Sequence, residues 1–476
     1  MLFRSRLCWV ACLILISIAQ GKSVVGQNKD TNEAIQYRLD FGQAASHRVR
    51  VEAEFPCAGR DRIVLMMPVW TPGSYMVREY ARQIESVEAH DLKGGKRGIT
   101  KRDKSHWEVD CSGIDRVMVR YELYGREMGV RTNWIEHEFA FLTGAATFLT
   151  REDYLDHPHV LECKPVEGWT HLASSLAPLL QGQVVQGQPG LGQNSGERSW
   201  IRRAANYDEL VDSPIVLGKI DVQSKEIGGA LHHLATVPHE GIWDTKKAME
   251  DVAKIVAVEQ QFWGEVPYRE YWFLNLLTEA GGGLEHDNST VLMTSRWAQK
   301  QRSKNIDWLG LVSHEFFHTW NVRRLRPKVL KQYDYNQEQY TQELWIAEGL
   351  TSYYDDLFVI RAGLCTPKEY LERLSKNIQA VQNAPGRLVQ SLVDSSFDSW
   401  IKFYRPDENA ANSRISYYLK GALVGLLLDS EIRARSGGEK SLDDCMRMLW
   451  NRHRESGYTN ADFLKIVGDE IGRAHV

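Results

Sequence analysis

Hydrophobic and polar residues alternate with a period of two in the first third of the chain. The alternation is clear at positions 35–41, 49–55 and 117–123, and turn sequences such as 71–74 and 93–96 separate the segments. A period of two is typical of β-strands that bury one face of a sheet. The pattern therefore predicts antiparallel strands that cover a hydrophobic core.

These strands define a predicted N-terminal β domain over residues 28–225. A stretch rich in Gly and Gln at 181–196 interrupts the pattern. Because such a composition does not form a packed core, it predicts a flexible surface insertion. Hydrophobic residues return at 215–222 and 231–237, where we expect further strands.

The spacing of hydrophobic residues changes to three and four positions after Asp244. This is the period of an α-helix, Asp commonly caps the start of a helix, and the pattern ends near Gly264. The elements predicted further along are a strand at 271–277, a long loop at 385–412, a hydrophobic helix at 417–428 and two shorter helices that begin near Ser441 and Thr459. Residues 226–476 are therefore predicted to form a second, mainly helical domain.

Two histidines four positions apart, with a glutamate after the first, stand out at 313–320: His314, Glu315 and His318. On a helix this spacing places both imidazoles on one face, with Cβ atoms about 5–6 Å apart. Both rings can then reach one zinc ion, and Glu315 can act as a general base on a water molecule. The alternative is a pair of surface histidines on an ordinary helix, and the motif favours the metal.

A catalytic zinc site needs a third protein ligand and one open position. Glu348 is the candidate, because residues 344–358 repeat hydrophobic positions at helical spacing and can place it against His318. Pro327 lies between the two segments and is predicted to end the first helix. A solvated Glu348 is the alternative, but its hydrophobic neighbours would make an unpaired buried carboxylate costly.

The glycine-rich segment 281–286 follows the predicted strand at 271–277. Gly282 and Gly283 allow a substrate backbone to lie against the strand edge, and Glu285 can face the free amino group of a bound peptide. A glycine-rich turn with a solvated Glu285 is an equally good interpretation of this segment alone.

Two adjacent tyrosines, Tyr417 and Tyr418, begin the predicted hydrophobic helix. A phenol hydroxyl near a metal can donate a hydrogen bond to the oxyanion of a tetrahedral intermediate. From the helix alone, a core position is the better interpretation of either ring.

The 476 residues carry a net charge of −4 without a dense block of Lys or Arg, which argues against nucleic acid as a partner. The N-terminus has a basic start and a hydrophobic run at 7–19. This pattern predicts a cleaved signal peptide over 1–27, and a retained anchor is the alternative. We therefore expect an exported protein, periplasmic or secreted, without a stable membrane span in the mature chain. The five cysteines outside this leader are widely spaced and predict neither a disulfide framework nor a thiolate zinc site.

Together these motifs resemble the glycyl aminopeptidase family of bacterial zinc metallopeptidases, and more remotely the aminopeptidase N family of gluzincins. Residues 314–327 resemble the zinc-helix signature of the first family, and 345–354 resemble its third-ligand segment. Residues 68–78 resemble a motif of its N-terminal β domain, and 418–421 fit the Tyr-x-Lys-Gly segment that carries its catalytic tyrosine.

The resemblance implies an α+β fold, in which an N-terminal antiparallel β domain precedes a thermolysin-like, mainly helical catalytic domain. It also implies one Zn2+ per chain and assigns a role to each candidate: metal ligands His314, His318 and Glu348; general base Glu315; catalytic tyrosine Tyr418 rather than Tyr417; substrate-binding residues Glu285, Gly282 and Gly283. Family members usually continue into a C-terminal PDZ domain, which this sequence lacks, so we expect a further domain beyond Val476.

The predicted function is hydrolysis of the N-terminal residue, preferably Gly or Ala, from peptides with a free N-terminus. The preference for small residues comes from the resemblance alone. Two rival interpretations remain at this point: an endopeptidase on the same zinc scaffold, and a non-catalytic exported protein that binds or chaperones other proteins.

Overall fold

The computed structural model describes residues 33–179, 200–238 and 241–473. The predicted signal peptide at 1–27 and the predicted insertion at 181–196 both lie outside these residues. Among the described helices, none combines the length and the hydrophobicity that crossing a membrane requires.

The N-terminal domain consists of three β-sheets around one hydrophobic core. The largest sheet has eight strands: Ile35–Asp40, Arg48–Pro56, Ile84–Asp91, Lys96–Arg97, Arg116–Tyr124, His159–Lys164, Ala177–Pro178 and Trp200–Ala204. The second sheet has four: Trp134–Ile135, Phe139–Leu142, His171–Ala173 and Ile215–Gly218. The third also has four: Arg62–Met66, Ile99–Lys101, His106–Asp110 and Thr150–Arg151.

The period-two pattern places one face of each long strand in this core. In the strand Arg116–Tyr124, every second side chain is buried, from Val117 to Leu123, while the intervening residues are partly or fully exposed. Pairing is antiparallel as predicted, except that Ile35–Asp40 and His159–Lys164 run parallel. A short helix, Tyr207–Val211, completes the domain.

The second domain begins with a mixed five-stranded sheet. Its strands are Asp221–Ile227, Ala230–Val237, Glu270–Leu277, Gly282–Glu285 and Ser289–Thr294. The sequence-based division after residue 225 falls inside the first of these strands. The change of sheet comes earlier, between Gly218 and Asp221, because residues 221–227 pair with 230–237 of the second domain.

Helices make up the remainder of the second domain. They are Thr245–Trp263, Arg302–Phe317, the π-helical turn Trp345–Gly349, Leu350–Arg361, Pro367–Asn383, Leu392–Phe397, Ala410–Ser413, Tyr417–Arg435, Leu442–His453 and Asn460–Arg473. Short 3₁₀ segments lie at Ala44–Ser46, Tyr80–Gln83, Ala298–Lys300, Lys328–Leu330, Pro385–Leu388 and Asp398–Trp400. The predicted α+β fold, with a β domain followed by a mainly helical domain, is confirmed.

Local signals explain where several of these helices begin and end. Asp244 caps the helix Thr245–Trp263 by accepting the Lys247 amide, and Gly264 ends it with a left-handed backbone (φ 70°). The predicted long loop at 385–412 is wrong in part, because short helices form within it. Serine hydroxyl groups stabilise the helical structure in this segment. Ser391 caps the helix Leu392–Phe397, and Ser395 donates a hydrogen bond to the carbonyl oxygen of Ile415.

The N-terminal domain reaches into the core of the second domain through residues 68–78. The indole Nε1 of Trp70 donates to the carbonyl oxygen of Asp334 (2.7 Å), and the rings of Trp70 and Tyr75 pack edge-on against Trp400. Both are fully buried. This segment therefore lies at the boundary between the domains, beside the candidate site.

Candidate active site

His314 and His318 lie at the C-terminal end of the helix Arg302–Phe317, whose hydrophobic face is buried. The helix ends at Phe317, so the prediction that Pro327 ends it is wrong. The chain turns instead at Asn321, whose side-chain Nδ2 donates hydrogen bonds to the carbonyl oxygens of Ile346 (3.2 Å) and Ala347 (3.0 Å). This turn ties the end of the histidine helix directly to the segment that carries Glu348.

Glu348 lies in the π-helical turn Trp345–Gly349 and is 2% exposed. Single π turns within helices are frequent at functional sites, because the extra residue changes the direction of a side chain. The turn packs closely on the helix that begins at Tyr417, since a Cβ on Gly349 would lie 2.7 Å from the Cα of Gly421. Glycine at both positions lets the two backbones touch.

The structure brings His314, His318 and Glu348 together. Oε2 of Glu348 lies 3.4 Å from Nε2 of His314 and 3.0 Å from Nε2 of His318. The other ring nitrogens are bonded elsewhere: Nδ1 of His314 to Oδ2 of Asp355 (3.1 Å) and Nδ1 of His318 to the carbonyl oxygen of Asn321 (2.8 Å). Both Nε2 atoms therefore meet Oε2 of Glu348 at one place, where the three atoms can hold a metal ion.

The donor set fits zinc. Two imidazole nitrogens and one carboxylate oxygen are typical of catalytic zinc sites, and in a tetrahedral site neighbouring ligand atoms lie about 3.3 Å apart. The separations of 3.0 and 3.4 Å between Glu348 and the two rings match this geometry. Although burial opposes ionisation, His318 and His314 hold the pKa of Glu348 at about 2, so the carboxylate is charged.

Replacing Asp355 with alanine is expected to weaken metal binding by about 10–100-fold, because His314 loses the acceptor that orients its ring. A competition titration with a chromophoric chelator measures the Kd for Zn2+. Asp356→Ala is the matched control, since this neighbouring carboxylate bonds Arg373 instead. An unchanged Kd in Asp355→Ala would mean that packing alone orients the ring of His314.

Glu315 lies between the metal-ligand candidates and the edge strand Gly282–Glu285. Its Oε2 is buried without a hydrogen-bond partner among the described residues, and a Cβ on Gly283 would overlap its carboxylate. Burial raises the pKa of Glu315 to about 7, against the lowering effect of His314 and His318. Only a glycine at position 283 therefore leaves room for the Glu315 carboxylate.

Glu285 is the last residue of the edge strand, which pairs with Ser289–Thr294 on one side only. It is 4% exposed, and its carboxylate groups with Glu315 and His318 so that their ligand atoms lie within 4.8 Å of one another. Gly73 of the N-terminal domain covers it: a Cβ there would lie 2.7 Å from Oε1 of Glu285. Gly282 takes φ 117°, which glycine adopts without strain.

Arginines from the turn after the histidine helix hold the segment that follows Glu285. Arg323 is 3% exposed and forms ion pairs with Asp212 (2.7 Å) and Asp287 (2.8 Å). Asp212 also forms a hydrogen bond with Nδ1 of His286 (3.0 Å). These ion pairs tie the segment that follows Glu285 to the turn after the histidine helix.

Tyr418 lies beside His314, with ring centres 6.1 Å apart and an interplanar angle of 29°. Burial, together with Glu348, raises the pKa of Tyr418 well above its usual value, so the phenol stays protonated and can donate. Tyr417 is fully buried, and its hydroxyl has no hydrogen-bond partner among the described residues. Of the two tyrosines, the structure thus brings Tyr418 to the candidate site.

Sequence reasoning missed three residues at this site: Tyr75, Arg131 and Tyr404. Tyr75 lies in the 68–78 motif, which carried a resemblance but no role. Its pKa is raised by burial and by the nearby carboxylates of Glu348 and Glu285. Arg131 and Tyr404 lie in loops that carry no motif.

Two models of one protein family match the chain. The model for the M61 glycyl aminopeptidase matches residues 307–424, and the model for the peptidase M61 N-terminal domain matches residues 36–219. The comparison with curated proteins returns no match.

Solved structures share the fold of this chain. The crystal structure of an aminopeptidase N family protein from Idiomarina loihiensis has 29% sequence identity and a TM-score of 0.82, over 90% of this chain and 72% of that chain. An M1 zinc metallopeptidase from Deinococcus radiodurans has 13% identity and a TM-score of 0.55, over 93% and 91% of the two chains. A mutant of that enzyme bound to a Tyr-Ser-Ala substrate has 12% identity and a TM-score of 0.54.

At 12–13% identity, the second and third likenesses show the shared fold alone. The two family models cover both domains, including the segments around His314, Glu348 and Tyr418. The chain belongs to the M61 glycyl aminopeptidase family and is a metallo-aminopeptidase.

Proposed function

We propose that the protein is a zinc-dependent aminopeptidase that removes a small N-terminal residue, Gly or Ala, from peptides with a free N-terminus. The observation that carries the proposal is the position of Glu285. Its carboxylate lies within 4.8 Å of ligand atoms of Glu315 and of His318, one of the metal-ligand candidates. A fixed carboxylate at this place recognises an α-amino group next to the bond to be cleaved.

The surroundings of Glu285 support a substrate that ends there. The space beside Glu285 that Trp70, Tyr75 and Tyr333 line is too small for a water molecule. A peptide chain therefore has no room to continue into this space. This favours an exopeptidase over an endopeptidase on the same scaffold.

The chain's own residues divide the reaction between them. His314, His318 and Glu348 would hold the zinc ion, which would supply Lewis acidity and lower the pKa of bound water. Glu315 accepts the proton of the attacking water and passes it to the leaving amine. Tyr418 donates a hydrogen bond to the oxyanion, an interaction whose loss costs about 2.7–4 kcal/mol in comparable sites.

The edge strand Gly282–Glu285 binds the substrate backbone in this proposal. Its outer side has no partner strand among the described residues, so a peptide can add as a further strand. Gly282 and Gly283 carry no side chains that would keep the peptide backbone away. Hydrogen bonds along the strand then orient the scissile carbonyl, while Glu285 fixes the register.

The test compares alanine p-nitroanilide with its N-acetylated form, with and without a metal chelator. We expect hydrolysis of the free amine only, and none after chelation. Glu285→Gln is expected to lower kcat/KM for the free amine by about 10–150-fold, because it loses a hydrogen bond between two charged groups. Glu279→Gln, at an exposed glutamate just before the glycine segment, is the matched control.

The rival functions predict other results. Equal cleavage of the acetylated and free substrates would indicate an endopeptidase. No cleavage by the zinc-loaded protein, across a panel of aminoacyl nitroanilides, would indicate a binding protein.

The proposal includes export to the periplasm or the medium. It is supported by the basic and hydrophobic pattern at 1–27. Peptides outside the cytoplasm would then be the substrates.

A further inference from the structure

An arginine without a hydrogen-bond partner for its Nε lies beside the candidate active site. Arg131 comes from the loop between the strands Arg116–Tyr124 and Trp134–Ile135 of the N-terminal domain. Its Nε is buried and bonds none of the described residues. Because a buried guanidinium nitrogen without an acceptor is costly, this arrangement indicates an acceptor supplied by a ligand.

The guanidinium group of Arg131 faces the catalytic residues. Its central carbon lies 6.0 Å from the centre of the Tyr404 ring. Although burial opposes the change, Tyr404, Tyr418, Glu285 and Glu315 together raise the pKa of Arg131 above its ordinary value. The group is therefore a permanent positive charge at the same site as the proposed amine anchor.

A positively charged pocket adjoins Arg131. The next two residues, Thr132 and Asn133, line it. Its charged lining residues are Arg78, Arg82, Arg126, Arg405, Glu79 and Glu127. Since four arginines face two glutamates, the pocket favours an anion.

The charge of Arg131 affects Arg78, one of the residues that line the pocket. Burial, and then the positive charge of Arg131, lower the pKa of Arg78, so the two arginines are close. The pocket has a volume of about 230 Å³, below the roughly 300–1,000 Å³ of sites that enclose a whole small-molecule ligand. It suits one end of a ligand whose other end lies in the active site.

We propose that Arg131 binds the C-terminal α-carboxylate of a short peptide, so that the enzyme prefers dipeptides and tripeptides to longer or blocked chains. This rests on the proposed aminopeptidase function. The amine of the peptide lies at Glu285 and its carboxylate at Arg131, next in sequence to two residues that line the positively charged pocket. An extended peptide of two or three residues spans about 7–11 Å, and the charge of Glu285 acts on Arg131 across the site.

The experiment compares Ala-Ala with Ala-Ala-amide, and Ala-Ala-Ala with its amide, as substrates of the zinc-loaded full chain. We expect the wild-type kcat/KM to be about 10–100-fold higher for the free acids, through KM, because a bond between two charged groups is lost in the amides. In Arg131→Met this preference disappears, because kcat/KM falls further for the free acids than for the amides. Arg131→Lys retains part of the preference, since it keeps the charge but not the planar fork.

Arg102→Met is the matched control, because Arg102 is half exposed in the N-terminal domain and is not part of the pocket. It should keep the full preference for free acids. The amide substrates report whether Arg131→Met folds, and its metal content gives a second measure that does not depend on activity.

Three results would overturn the proposal. One is equal wild-type hydrolysis of acids and amides; another is an equal loss on both in the Arg131 variants, which would make the residue structural. The third is a preference that follows an acidic side chain, as in Ala-Asp-amide, and ignores the α-carboxylate. Failure of the aminopeptidase function gives a different result: the protein cleaves N-acetylated substrates, or it cleaves no substrate at all.

Discussion

Replacing Glu315 with glutamine is expected to lower kcat by about 10²–10⁴-fold, the range that a general base contributes, and to leave the metal in place. Glutamine has the shape of glutamate, so it fits the space that Gly283 leaves open beside the carboxylate. It lacks a basic oxygen that can take the proton from water. The measurements are steady-state kinetics on alanine p-nitroanilide and the zinc content by mass spectrometry.

The separation of these two measurements makes the Glu315→Gln result informative. A loss of zinc together with activity would mean that Glu315 holds the metal site in shape. Substantial residual turnover with zinc bound would remove Glu315 from the role of base. Glu372→Gln, an exposed position on the helix Pro367–Asn383, controls for the loss of one negative charge.

The residues that local patterns determine were predictable from the sequence. The four-residue spacing of His314 and His318 requires only a helix, and the cap at Asp244 requires only its own side chain and the Lys247 amide. The alternation at 117–123 likewise predicts a buried strand face, and that face is buried. In each case the interaction partners lie within one or two turns of the chain.

Other features, which depend on distant parts of the chain and belong to no motif, were not predictable. His318 lies just beyond the end of its helix, because Asn321 bonds the backbone at Ile346 and Ala347. No local pattern records such contacts between segments that are 25 or 26 positions apart. The helix therefore ends earlier than Pro327 alone would suggest.

The contribution of the N-terminal domain to the site is a second example. Gly73 touches Glu285, and Arg131 faces Tyr404, although the members of each pair belong to different domains. The sequence marked 68–78 as a motif and left Arg131 unmarked, since a single arginine in a loop carries no pattern. Which residues complete a site between two domains follows only from how the domains pack.

Replacing Glu348 with alanine is expected to abolish stable zinc binding. Loss of an outer hydrogen-bond partner weakens metal binding by about 10–100-fold, so loss of a direct ligand should exceed about 100-fold. Two imidazoles then remain without the carboxylate that lies 3.0 and 3.4 Å from them. Thermal unfolding measures the effect without reference to activity, because a ligand that binds only the folded state raises Tm.

In the wild-type protein, zinc added to the metal-free form should raise Tm, and Glu315→Gln should retain this rise. Glu348→Ala should show none at the same zinc concentration, and Asp355→Ala should show the rise only at higher concentration. A full rise in Glu348→Ala would mean that the metal uses another donor. The nearest alternative set is Glu285, Glu315 and His318, and a zinc ion there would occupy both the proposed amine anchor and the base. If Glu348→Ala loses the zinc-induced stabilisation while Glu315→Gln loses only turnover, the metal ligand and the base are separate residues on different helical segments.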